Sequence, residues 1–227
     1  MRKDLSDFFH KHPYKIFTPP DTKKLIIGTL PPPRFSMGKL RQKDVNFCYG
    51  SADNMLWPVL SAIFNLPLRF DNSEEAVVQR KEFLKKHHLG IADIVESCTR
   101  SKVDASDIGM ENVKLRNILQ QLTNCPALST LIFMGGNTKN GPEYFFRKQL
   151  RNAGLKLLPI NNNAPREHQF HHAGRNILTI SLTSPSNAAN RAIGSNPLYK
   201  RRKELDADYT TFIFRLDQYR GVFLPKQ

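Results

Sequence analysis

KLIIGTLPPPRFSMGKLRQKDVNFCYGSADNMLW, residues 24–57, holds a buried-strand signal, an abrupt turn, a basic loop and an aromatic-rich return in one continuous segment. Leu25-Ile26-Ile27 is a short apolar run of the kind found inside a parallel sheet. Gly28 to Pro33 ends it at once, because consecutive prolines cannot continue a ladder. In open α/β sheets ligands gather beyond the carboxyl ends of the strands, so Gly28, Thr29 and Leu30 are the first place to look for chemistry. After them, 35–46 reads as an exposed basic loop carrying Arg34, Lys39, Arg41 and Lys43. Asp53 then opens a helical pattern, with Leu56, Trp57, Leu60, Ile63 and Phe64 on one face and Pro58 tolerated in its first turn.

Outward from this segment, strands and helices alternate. Helices are expected over 73–88, capped by Ser73 with Val77, Val78, Phe83 and Leu84 inward and Gly90 as its stop, over 113–122, and over 142–153 with Gly154 as a left-handed terminator. A last helix is expected from about 196 to 219. Strands are expected at 91–95, 128–134, 155–160 and 177–182, with polar loops at 96–109 and 161–175. The second of these loops is an insertion that holds His168, His171 and His172. Residues 1–20 read as a short helical cap, with 4–10 as its turns. This order implies a single domain, a three-layer α/β/α sandwich around a central, mainly parallel four-stranded sheet.

The bulk numbers narrow the partner. With 34 Lys plus Arg against 20 Asp plus Glu, the formal charge is +14, which points to a polyanion, most commonly nucleic acid. Three cysteines far apart exclude a disulfide framework and a four-thiolate cluster, which suits an intracellular setting in cytoplasm or nucleoid. No run is long and apolar enough to span a membrane, and residues 1–20 lack a signal-peptide core. The histidines of 161–175 have no Cys or acidic partner at metal-ligand spacing, so a solvated loop is expected rather than a metal site. Neither a Walker-type lysine motif nor a carboxylate cluster for magnesium is present, which argues against a nucleotide hydrolase.

Two strand ends carry unusual turns, at 28–33 and at 183–191. A pocket floored by Phe47 or Tyr49 suits a planar ring, and the amide of Asn54 can hydrogen-bond a base edge or hold a water. Ser184-Pro185-Ser186-Asn187 has the short side chains that close contact with a phosphate needs. Each feature has a plainer reading: Tyr49 as a core aromatic, Asn54 as a helix cap, Ser184 to Asn187 as a strand terminator, and Lys200-Arg201-Arg202-Lys203 as a solvated helix face.

GTLPPP followed by FCYGSADNMLW, then LGIADIVESCTR with VDASDI, LIFMGG and finally TSPSNAANR, resembles the uracil-DNA glycosylase superfamily, nearest to its hypoxanthine-DNA glycosylase and mismatch-specific branches. The resemblance runs from about Leu25 to Arg191. It implies a monofunctional DNA glycosylase that hydrolyses the N-glycosidic bond of a flipped uracil or hypoxanthine and so initiates base excision repair, with DNA as partner, water as nucleophile, no cofactor and a monomeric enzyme. Tyr49 would stack on the extruded base, Asn54 would be the catalytic amide beside Gly28, Thr29 and Leu30, and Ser184 to Arg191 would grip the strand, with Lys200 and Arg201 near phosphates. Many members of the superfamily hold Asp or Asn where this chain has Leu30, and leucine cannot position water. That departure keeps open an alternative, a catalytically silent nucleic-acid-binding protein on the same fold.

Overall fold

The computed structural model describes residues 8–224. Its architecture is set by apolar runs that pair side by side. β1 (Phe8–Lys11), β2 (Lys24–Gly28), β3 (Leu89–Asp93), β4 (Val95–Arg100), β5 (Glu111–Leu115), β6 (Thr130–Phe133), β7 (Leu158–Asn161), β8 (Arg166–His172) and β9 (Arg175–Ser181) form two sheets. The main sheet has six strands in the order β3-β2-β6-β9-β8-β7. β3, β2, β6 and β9 are parallel, and β8 and β7 add antiparallel at one edge. A small antiparallel sheet β1-β4-β5 stands beside it.

The helices are α1 (Pro33–Ser36), α2 (Leu56–Phe64), α3 (Glu74–Lys86), α4 (Ile118–Asn124), α5 (Pro142–Asn152), α6 (Asn190–Gly194), α7 (Pro197–Leu205) and α8 (Thr211–Phe223). Strand side chains alternate between faces, and the core divides accordingly. Ile26, Ile91 and Ile132 pack with Trp57, Leu60, Phe83 and Tyr219 of α2, α3 and α8. Leu25, Ile27, Leu131 and Phe133 pack with Ile118, Leu122, Phe145 and Phe146 of α4 and α5. The central strands are therefore covered on both sides, which is why their sequences read as continuous apolar runs.

Several expectations hold. Ser73 Oγ accepts from Ala76 N–H at the start of α3, whose first turn is acidic and last turn basic, matching the helix dipole. Gly154 follows α5 at φ +70°. Others are corrected. The main sheet has six strands rather than four. The α3 helix ends at Lys86, and Gly90 is a residue of β3 rather than a stop, while Val78 faces solvent.

In place of a helical cap, residues 8–11 are a strand paired with β4, and β4 itself occupies the start of the expected 96–109 loop. The part of that cap before Phe8 lies outside the described residues. Residues 111–115 form β5, so the helix expected from 113 begins only at Ile118, where Asn117 Oδ1 accepts from Gln120 N–H. The strand expected at 155–160 begins at Leu158. The expected insertion 161–175 is largely β8, whose His168 and Phe170 point inward while Gln169 and His171 point out. The last helix is two, broken at 206–210, where Thr210 Oγ1 caps α8 through Ile213 N–H. Among the described residues no helix is long and apolar enough to cross a membrane.

Candidate active site

The chain runs from β2 to β3 on one side and returns through β6 on the other, which makes the carboxyl end of β2 a topological switch point. A cavity of about 230 Å³ opens there. All four parallel strands contribute to its wall at their ends: Gly28 to Pro32 after β2, Asp93 of β3, Met134 after β6 and Ser184 to Asn187 after β9. The loop after α1 adds Tyr49, Gly50, Ser51, Asp53 and Asn54, α1 adds Arg34 and Phe35, and the loop after β4 adds Ala105 and Asp107.

That loop is built rather than loose. Arg34 donates from Nε and Nη2 to the buried Asp44, which also accepts the Ala52 and Arg41 N–H groups. Burial pushes the Asp44 carboxyl up, but the Arg34 hydrogen bonds and those two amides outweigh it and bring the pKa down to about 2. Arg34 is thus tied into the loop instead of extending from it, while Lys39, Arg41 and Lys43 are exposed. Trp57 Nε1 donates to Cys48 O and fastens the loop to α2.

Two segments far apart in sequence close the cavity together. Asn54 forms a bridge with Ser186, and Met55 N–H donates to Pro185 O at 2.9 Å. The 183–186 turn is held from behind by α8, where the buried Arg215 donates to Ser184 O and Ser186 O. Tyr219 Oη donates to Thr183 O, and Gln218 Oε1 accepts from Thr183 N–H. Asn54 Oδ1 accepts from Leu56 N–H two residues on, a local turn rather than the cap expected of it, since Met55 holds the N-cap position of α2 without a side-chain bond. This fixes the amide's orientation and leaves Nδ2 as a donor at the cavity wall.

Tyr49 sits over Gly28. A Cβ on Gly28 would lie 2.2 Å from Tyr49 Oη and 2.3 Å from Asp93 Oδ1, so only glycine lets ring and carboxylate come this close. Tyr49 Oη is buried and has no hydrogen-bond partner among the described residues. Burial, then the Asp93 charge, hold its pKa well above the ordinary phenol value. Phe47, by contrast, packs in the core against Tyr14, Phe17 and Trp57 and does not line the cavity. Of the two rings considered for the floor, Tyr49 is the one at the wall. Leu30 also lines it, leaning on the second core cluster.

Three carboxyl groups reach the cavity, and their circumstances differ. Asp53 is exposed and paired with Arg41 at 3.1 Å. Asp93 is buried and paired with His12 Nε2 at 2.8 Å. Asp107 accepts only a hydrogen bond from Thr29 Oγ1, 3.1 Å from Oδ2, and has no ion-pair partner among the described residues. Its pKa is raised to about 6, by burial first and also by Asp93, against the Thr29 hydrogen bond and the Arg100 charge. Sequence reasoning passed over Asp107, Arg215 and Tyr219. An arginine among the apolar residues of TFIFRLDQYR was the one available signal for Arg215, since a charge on a buried helix face needs a partner.

Arg191 of α6 and Lys200 and Arg201 of α7 are exposed and lie off the cavity wall. The three histidines do not converge: His168 meets Arg147, His171 meets Asn176, and His172 meets Leu119 O. Among the described residues no group of three His, Cys, Asp or Glu side chains is placed to hold a metal ion.

No protein-family profile and no curated protein matches the sequence. A solution NMR structure from Methanosarcina acetivorans, described as a "putative Uracil DNA glycosylase", is similar with a TM-score of 0.51 and 17% identity, over 91% of this chain and 99% of that one. Shared over nearly the whole of both chains is the fold, and this chain therefore has a uracil DNA glycosylase-like α/β fold.

Proposed function

We propose that the chain is a monofunctional DNA glycosylase of the hypoxanthine or mismatch-specific kind, hydrolysing the N-glycosidic bond of a flipped uracil or hypoxanthine in DNA at the start of base excision repair. The observation that carries this reading is the bridge between Asn54 and Ser186, which joins the base-side loop and the strand-gripping turn around one cavity at the sheet's switch point. The +14 charge supports a sequence-independent hold on the phosphate backbone.

The chemistry asks mainly for charge placement. As the bond lengthens, the sugar becomes cationic and the departing base anionic, so preorganised donors and carboxylates around them lower the barrier. Asn54 Nδ2 donates to a carbonyl of the base, the ring of Tyr49 stacks on it, and the N–H groups of Thr29 and Leu30, residues of the same wall that donate to no main-chain carbonyl among the described residues, add further donors. Ser184, Pro185, Ser186 and Asn187 contact the strand beside the flipped nucleotide, and Arg191, Lys200 and Arg201 contact phosphates. Flipping costs a few kcal/mol, least at a mispaired or damaged base, so the DNA contributes to selectivity. The enzyme acts as a monomer inside the cell and needs no cofactor.

A panel of duplexes with single uracil, hypoxanthine, xanthine or mismatched thymine tests the proposal, with alkali cleavage reporting abasic sites. At least one should be cut, and Asn54→Ala should slow it about a hundredfold while costing only about 1 kcal/mol of stability from the lost hydrogen bond to Leu56 N–H. Binding with no abasic product on any duplex would favour the silent nucleic-acid-binding protein, the reading that the apolar Leu30 supports.

A further inference from the structure

Asp107 stands between two chambers. It lines the 230 Å³ cavity and also an adjoining one of about 450 Å³, and Thr29, Met134 and Ser184 are shared by the same partition. The second chamber is bounded by Gly135, Gly136, Thr138 and Arg166 and opens to solvent. One carboxylate oxygen of Asp107 accepts from Thr29, and the other accepts no hydrogen bond among the described residues yet is not sealed from solvent. The backbone is fixed on both sides: Arg100 Nη1 donates to Ser106 O, and Asn140 Nδ2 donates to Asp107 O at 2.8 Å.

Arg100 is itself buried and held by Nε to His10 Nδ1. Burial, then the neighbouring charges of Arg100 and His12, bring the pKa of His10 down to about 4, so His10 is neutral and serves as an acceptor at neutral pH. A loop carrying a carboxyl group is thus fixed from two elements with the acid end left free. A half-buried carboxyl group with one oxygen held by Thr29 and the other open at the partition is placed to take a hydrogen-bond donor from either chamber.

Building on the glycosylase reading, we infer that Asp107 is the residue that binds the attacking water and accepts its proton, in place of the polar side chain that Leu30 does not provide. The water enters from the larger chamber and meets the sugar at the partition. Its oxygen forms the new bond to C1′ as the C1′–N bond breaks and its electron pair leaves with the base. The water's proton passes to Asp107 and from there to solvent, while the departing base takes one proton back from solvent. In the same transition state the Asp107 carboxylate faces the cationic sugar, so its negative charge is favourable where a leucine would be neutral. Asp93 is less suited because His12 Nε2 already occupies its Oδ2, at 2.8 Å.

The pH dependence follows from what surrounds the group. Asp93 at the end of β3 disfavours ionisation, while Arg100 of β4 and the Thr29 hydroxyl favour it, and the result is a pKa of about 6. Tyr49 stands beside Asp93 on the same wall, and Arg166 of β8 lines the second chamber but is committed to Glu143. Asp107 must be ionised to accept a proton, so activity is full above its pKa and falls below it.

The test is single-turnover excision from pH 5 to 9, together with binding to two uncleavable duplexes, one bearing a cationic pyrrolidine at the abasic position and one a neutral tetrahydrofuran. The native protein should lose about tenfold in rate per pH unit below about 6. Asp107→Asn should be slower by roughly a hundredfold or more and flat across that range. It should also lose the preference for pyrrolidine over tetrahydrofuran while keeping its affinity for the latter. Thr29→Val, which keeps the carboxyl group but removes its donor, should move the limb to higher pH. An Asp107→Asn protein with native rate or with the acidic limb intact overturns the inference. If the native protein cleaves no base at all, the glycosylase reading fails separately, and the pyrrolidine preference decides Asp107: lost on substitution, the inference stands as a cation-stabilising site; unchanged, it falls.

Discussion

Replacing Asp107 by asparagine should make the protein more stable at neutral pH, whatever it does to catalysis. The carboxyl group is displaced from its ordinary 3.8 to about 6, chiefly by burial. Because the folded pKa lies above the unfolded one, the folded state holds an extra proton between about pH 4 and 6. The associated stability is complete below the unfolded pKa and is lost as pH rises through the folded one. At about 1.4 kcal/mol per pH unit the ceiling is about 3 kcal/mol. Solvent on the open side of the group screens it, and about 1–2 kcal/mol is the expected remainder. In a chain of this length each kcal/mol moves the melting temperature by about 2–4 °C, so Asp107→Asn should melt about 2–8 °C higher at pH 8. Asparagine keeps an oxygen to accept the Thr29 hydroxyl, so that hydrogen bond is not lost. Thermal unfolding followed by circular dichroism at pH 8 and pH 4 measures the difference. At pH 4 the gain should vanish. A variant less stable than the native protein at pH 8 would mean that Asp107 is a structural tie for the 101–109 loop, and the argument from an uncompensated carboxylate would be wrong.

Two other outcomes follow from the same geometry. Arg215→Met removes the donors to Ser184 O and Ser186 O; charged hydrogen bonds of this kind are worth roughly 1.5–3 kcal/mol each before water replaces them, so the melting temperature should drop by several degrees and excision should weaken at least tenfold, read by calorimetry and by the abasic-site assay. Lys200→Ala with Arg201→Ala should lower affinity for any duplex and reduce the salt slope of log K by about 2, measured by fluorescence anisotropy between 50 and 200 mM salt; a slope unchanged by both substitutions would place the DNA elsewhere.

Three of the four parallel strands were legible because each is an apolar run with a hard stop: Gly28 after Leu25-Ile26-Ile27, Gly135 after 131–134, Pro185 after 177–182; β3 has no such stop and runs on through Ile94 into β4. The strands that escaped are those whose buried positions are polar. In β1 and β4 the inward residues include His10 and Arg100, which satisfy each other. In β8 the inward His168 is met by Arg147. A hydrophobic period cannot register such pairs, since each residue alone looks like a surface residue. The final helix was read too long for a related reason: the apolar positions on both sides of 206–210 keep helical spacing, and only the capping hydroxyl of Thr210 marks the break.

The candidate site was legible where backbone chemistry dictated it and illegible where only assembly does. Gly28 is explained by the ring and carboxylate that press on it, and Asn54 by the bridge to Ser186. Leu30 looked disabling because reasoning along one strand assumes that a lost polar group must be replaced on that strand. The fold removes that constraint. Thr29, one residue before Leu30, donates to Asp107, which arrives on the loop after β4 and is held there by Arg100 and Asn140. A carboxylate therefore reaches the same partition from a different element, beside the position that leucine vacates. Leu30, leaning on the second core cluster, is left to line the smaller cavity with apolar surface, so the leucine and the carboxylate hold separate parts of that wall.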